Sequence, residues 1–222
     1  MSGPSCFVCA QQSFGTTKGL KRCAGFDGTL VHGKGMTDMQ IHSFNRGLRS
    51  RDPLPEILKA SREKTLVIVF GASAVMDDPA VLRPMLDAYS WATMIGCSTS
   101  GEIYGQRIFD HSLSVAIVQF GHATVRVETM AVPNSHASEV VGRALAKSLP
   151  SNSLRGMFVL SDGLCVNGSQ LVCGMNGAVP SSVVVTGGLA GKGDRFSRTW
   201  VLKDRQPQSG YITAVGLYGS TM

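Results

Sequence analysis

What the chain has little of narrows its reading first. No apolar run approaches the ~18 residues of a membrane-spanning helix, and the N-terminus has no secretory apolar core, which makes the cytoplasm the expected compartment and no membrane the expected partner. Charged residues are only 16% of the chain and aromatics 7%, while hydrophobic residues reach 43%. That balance excludes a disordered chain, and 222 residues suffice to bury a sizeable core.

Charge of one sign is also scarce where a polyanion would need it. Residues 1–64 hold ten Lys/Arg against five Asp/Glu (10 − 5 = +5), and residues 65–222 hold eleven against ten (11 − 10 = +1). The basic character therefore belongs to the N-terminal part. A nearly neutral main body argues against nucleic acid as a partner.

Catalytic signatures are missing as well. No Ser-His-Asp order and no paired carboxylates stand out, and Glu102 and Asp162 are isolated acids. A P-loop at "TGGLAGKGD" would need glycine at Thr186 and serine or threonine at Gly193, with a helix behind it. A Cys97 nucleophile would need a histidine base, and neither His111 nor His122 has a recognisable signature around it. The six cysteines fit a reducing compartment: Cys97, Cys165 and Cys173 sit in apolar segments as small hydrophobes. Cys6, Cys9, Cys23 and His32 form a weak candidate metal set, of a composition zinc accepts at a spacing no standard finger uses.

What is present is regular. Residues 1–44 read as an irregular segment with a short strand near Gly25–Val31, and Pro53–Arg62 as a short helix. "TLVIVF" is a buried strand, Asp78-Pro79 opens a helix running to Tyr89, and "WATMIGC" is the next strand. "SLSVAIVQF" and "ATVRVETMAV" follow as a pair turned at Gly121-His122. A helix spans Ser135–Leu149 with Val140, Val141, Ala144, Leu145 and Leu149 on one face. "GMFVLSDG", a helix capped by Asn167, and "SSVVVTGG" lead to a closing pair, "FSRTWVL" and "YITAVGLY", joined by the polar loop "KDRQPQSG".

Two stretches of this walk read alike at an offset of about 90 residues, each a β-α-β-β-β unit with a glycine-rich loop after its second strand. The fold class expected is α+β, with mixed sheets, flanking helices and an internal pseudo-duplication. The loops are "GCSTSGEI" (Gly96–Ile103) and "GGLAGKGDRF" (Gly187–Phe196). If the units pack with pseudo-twofold symmetry, the loops meet and line one cleft. Small residues admit backbone amides to a ligand, and hydroxyls with one carboxylate orient it. The expected small-ligand set is Gly96, Cys97, Ser98, Thr99, Ser100, Gly101, Glu102, Gly187, Gly188 and Gly191.

"GCSTSGEI", "LSDGLCVNGSQL", "VTGGLAGKGDRF" and "AVGLYG", in that order, resemble the FIST N-terminal domain family over roughly residues 45–219. The resemblance implies a non-catalytic cytoplasmic sensory domain of bacterial signal transduction that binds small ligands such as amino acids. It implies partners such as histidine kinases, methyl-accepting modules and cyclic-di-GMP enzymes. The family usually continues into a FIST C-terminal domain, which is absent from residues 45–222. One branch is described as binding haem and sensing nitric oxide; for that reading the formal axial ligands are His32, His42, His111, His122 and His136. The haem sensor and a Cys97-dependent enzyme stand as alternatives to the amino-acid-like sensor.

Overall fold

The structure, a computed structural model, describes residues 31–32, 39–149, 152–192 and 198–219. Its strands are, in chain order, β1 (Val31–His32), β2 (Gln40–Gly47), β3 (Thr65–Ala72), β4 (Thr93–Thr99), β5 (Glu102–Tyr104), β6 (Arg107–Phe109) and β7 (Ser112–Gln119). Then come β8 (Thr124–Ala131), β9 (Leu154–Ser161), β10 (Val184–Leu189), β11 (Val201–Lys203), β12 (Gln206–Gln208) and β13 (Tyr211–Tyr218). The helices are α1 (Arg83–Ala88), α2 (Ser138–Ser148) and α3 (Gly168–Asn176).

The β-branched runs build two mixed sheets, β1-β2-β7-β3-β4-β11-β12 and β10-β9-β13-β8, with β5-β6 as a separate hairpin. Alternation along the strands sorts the core into layers. Leu66, Ile95, Cys97 and Val201 of the first sheet meet Val125, Leu160 and Val215 of the second between the sheets. The outer face of the first sheet packs Val67, Val69 and Val115 against Val75, Leu82, Met85 and Tyr89. The outer face of the second packs Met157, Val159, Val185 and Ile212 against Leu145 of α2 and Leu171 and Met175 of α3. The class is α+β, as the sequence patterning predicts.

Four strands of each sheet share one order and one set of directions: β2-β7-β3-β4 and β8-β13-β9-β10. In both, the third and fourth strands are parallel and the other neighbours antiparallel. The repeating element thus differs from the one expected from sequence. It opens with an extra strand, β2 or β8, and β2 crosses the boundary drawn at residue 44.

Four other expectations are corrected. The segment 53–61 is not helical. Pro55 biases Leu54 away from helical backbone, and carbonyls that a helix would use internally are taken elsewhere, Pro55 O by the Tyr89 hydroxyl at 2.8 Å and Leu58 O by the Gln119 amide at 2.7 Å. β7 and β8 are not a hairpin, because Phe120 N–H and Gly121 O are both held by Lys64 and β8 passes into the other sheet. β11 pairs with β4 and β12 rather than with β13. On α2, Leu145 and Ala146 are buried, but Val140 is 71% exposed, so the apolar face is narrower than its periodicity suggests.

Candidate functional site

The parallel pairs β3/β4 and β9/β10 set the site. Their C-terminal ends carry Ala72, Thr99, Ser161 and Leu189, and the segment Thr199–Trp200 is bonded to Ala72 of β3, to Ser98 of β4 and to Gly163, two residues past β9. The C-terminal ends of parallel strands are where open sheets place ligands.

Trp200 ties the cluster together. It is fully buried, its indole N–H donates to Ala72 O at 3.1 Å, and its amide donates to Ser98 Oγ at 3.1 Å. Its carbonyl accepts from Ser98 N–H at 2.9 Å. Gly191 N–H donates to Ser98 O at 2.8 Å, so the two glycine loops touch. A Cβ on Gly191 would lie 2.6 Å from Ser100 N and 2.7 Å from Ser100 Oγ, a separation only glycine permits. Gly163 approaches likewise, with its Cβ position 2.0 Å from Ala190 O, while its amide donates to Thr199 Oγ1.

Two buried carboxylates shape the loops from beneath. Glu102 is 1% exposed; Oε1 accepts from Thr99 Oγ1 at 2.8 Å, and Oε2 accepts from Ser112 N and Oγ at 3.1 and 3.0 Å. Burial pushes its carboxyl above the usual carboxylate range, against the pull of those three donors. Asp162 accepts from Leu164 N and Cys165 N on one oxygen and from Gly210 N on the other. Both acids spend their acceptors on the protein itself, so they position backbone.

The expected ligand residues fall into three groups. Ser100 is exposed and Gly101 and Gly191 are half-buried, all at the loop surface. Ser98, Thr99 and Glu102 are buried supports. Gly96, Cys97, Gly187 and Gly188 lie within strands: a Cβ on Gly96 would press on Val69 O at 2.5 Å, and one on Gly187 on Val159 O at 1.9 Å. Those glycines permit close strand packing. Cys97 is fully buried between the sheets and its thiol is pushed up to about 12 by loss of hydration, which leaves no thiolate for nucleophilic attack at neutral pH. Trp200, Asp162 and Gly163 were not among the expected site residues. The Asp-Gly pair closing a strand is a turn signal that marks two of them; Trp200 has no local signal.

Among the described residues, the histidines do not gather at one place. The described histidines are spread over β2 (His42), the turns flanking β7 (His111 and His122) and the turn before α2 (His136). None lines the open pocket of about 1010 Å³ at the far end of β4, whose walls include Arg62, Thr93, Arg126, Glu128, Lys203 and Arg205. Cys6, Cys9 and Cys23 and the His32 side chain lie outside the described residues, and among those residues no His, Cys, Asp and Glu group of metal-binding geometry occurs. Nor is any described helix long and apolar enough to cross a membrane.

The family model of the FIST N domain matches residues 65–222. The chain belongs to the FIST N domain family. FIST N domains are sensory domains of signal transduction rather than a known catalytic family, and the match spans both glycine loops and the strands that carry them. Comparison with curated proteins finds no match.

Proposed function

We propose that this FIST N domain is a cytoplasmic sensor that binds a small, polar, amino-acid-like ligand where its two glycine loops meet. The observation that carries this reading is the contact of Gly191 with Ser98 and Ser100, which brings both loops to one surface at the ends of the parallel strands. Ser100 and Gly101 supply the ligand contacts, beside the Gly191–Ser98 bond that joins the loops, with backbone for a carboxylate and a hydroxyl for a polar substituent. Ser98, Thr99, Glu102 and Asp162 hold the loops in shape. Ligand binding stiffens a junction that spans both sheets, and that change is read by a signalling partner, a histidine kinase or a cyclic-di-GMP enzyme.

Binding of free amino acids is measured by thermal shift on wild type, Gly191→Val and Ser100→Ala. The reading expects stabilisation in wild type that Gly191→Val abolishes and Ser100→Ala weakens. Equal stabilisation of all three would move the ligand elsewhere.

A further inference from the structure

The two strand sets share an order, but their fourth strands differ in what lies beyond them. On β4, the free edge is covered by antiparallel β11, through the Val201–Cys97 pairing and the two-way bonding of Ser98 with Trp200. β10, the counterpart of β4, pairs with β9 and with no other described strand. Connection length explains the difference. Eleven residues separate β10 from β11 in the sequence, and β11 pairs with β4. Only two, 100–101, separate β4 from the β5-β6 hairpin. That hairpin stays on its own half, where Ser114 Oγ donates to Ile103 O at 2.9 Å and the Tyr104 hydroxyl to Ser43 O at 3.2 Å.

An open edge is ordinarily defended by charge, proline or short length. β8 carries Arg126 and Glu128, β12 carries Pro207, and β1 has two residues. β10, Val-Val-Thr-Gly-Gly-Leu, has neither charge nor proline over six residues. Its Val184 is 63% exposed between Val183 at 7% and Val185 at 3%, and Thr186 on the same face is exposed too. Among the described residues β10 pairs with no strand but β9, and Ala190, just past its end, also bonds to β9, at Ser161 O.

We propose that the β10 edge pairs antiparallel with the same strand of a second copy of this chain, joining the two four-stranded sheets across a twofold axis. An uncharged strand is self-complementary: whichever residue the axis passes, valine, threonine and glycine meet one another and no like charges are opposed. The covered edge of β4 shows that this position in the order accepts an antiparallel strand. Pairing consumes the edge of both copies, so assembly closes at two.

Sedimentation-equilibrium analysis of the whole chain tests this, on wild type, Val184→Lys, Thr186→Lys and, at the other edge of the same sheet, Glu128→Lys. The expected result is a monomer–dimer equilibrium in wild type and Glu128→Lys, with at least a tenfold weaker dimer in both lysine variants of β10. Circular dichroism and melting temperature confirm that each variant is folded; both β10 positions are exposed, so the pair provides two independent readings. A wild type that stays monomeric at several hundred micromolar overturns the proposal. So does a dimer indifferent to both β10 variants, or one that Glu128→Lys breaks instead.

Discussion

Gly191 donates its amide to the carbonyl of Ser98 at 2.8 Å, and through that bond the glycine loop of one strand set is fastened to the glycine loop of the other. The contact works because both partners are small: nothing larger than hydrogen fits between Gly191 and Ser100. Gly191→Val should force the loops apart. A loss of roughly 1–3 kcal/mol in unfolding free energy is expected from overpacking, measured by urea denaturation, together with loss of any ligand-linked stabilisation.

The environment of Glu102 predicts a pH dependence. Burial raises its folded-state carboxyl above the unfolded value of about 4.3, so between these two values the folded state binds more protons than the unfolded one. Stability from this group is then fully present below about pH 4.3 and falls as pH rises through the raised folded value. Glu102→Gln should flatten the stability–pH curve in that window, as read by denaturant midpoints at successive pH values. A slope unchanged by the substitution would remove Glu102 as its source.

Thiol labelling separates the cysteines. Cys173 is exposed and Cys165 half-buried, whereas Cys97 is enclosed with its ionisation suppressed. Alkylation of native protein at pH 7.5 followed by peptide mapping should, among these three, modify Cys173 first and leave Cys97 untouched until denaturant is added. Rapid labelling of Cys97 in the folded protein would restore the nucleophile reading.

Trp200 links the ends of β3 and β4 through its side chain and its backbone. Trp200→Phe deletes the indole N–H bond to Ala72 O and leaves that carbonyl unpaired, at a cost of about 1–3 kcal/mol. Its buried fluorescence also reports on the junction, and a Trp91→Phe background isolates that signal.

The α2–α3 crossing supplies a stability test far from the loops. A Cβ on Gly174 would fall 2.0 Å from Glu139 O, and one on Gly142 2.6 Å from Leu171 O. Gly174→Ala must push the helices apart, and a drop of several degrees in melting temperature is expected with ligand response unchanged.

Much of this was legible in the sequence, for identifiable reasons. β3, β4 and β9 announce themselves as largely apolar runs because both their faces are covered. The cap at Asn167 is a local signal, realised as a 3.1 Å bond from Gln170 N–H. The pairing of β11 with β4 was not legible, since a three-residue strand carries no period and its partner lies a hundred residues away. β2 was missed because its residues are mostly half-buried, with Phe44 alone fully inside, which blurs the alternation. The "GCSTSGEI" loop stands out by its composition, yet composition could not separate Ser100 at the surface from Glu102 beneath it. That distinction depends on Ser112, at the start of β7, reaching the carboxylate.

The central claim is that ligand binds at the meeting of the two loops, and a thermal-shift titration with each of the twenty free amino acids tests it most directly. The proteins compared are wild type, Gly191→Val and Arg62→Ala, the last in the pocket at the opposite end of β4. At a hundredfold excess over its dissociation constant a ligand adds about 2.7 kcal/mol, or a rise of roughly 5–10 °C for a chain of this size. The account predicts that rise in wild type and Arg62→Ala and its absence in Gly191→Val. A rise that persists in Gly191→Val and disappears in Arg62→Ala would contradict it and place the ligand at the other end of the sheet.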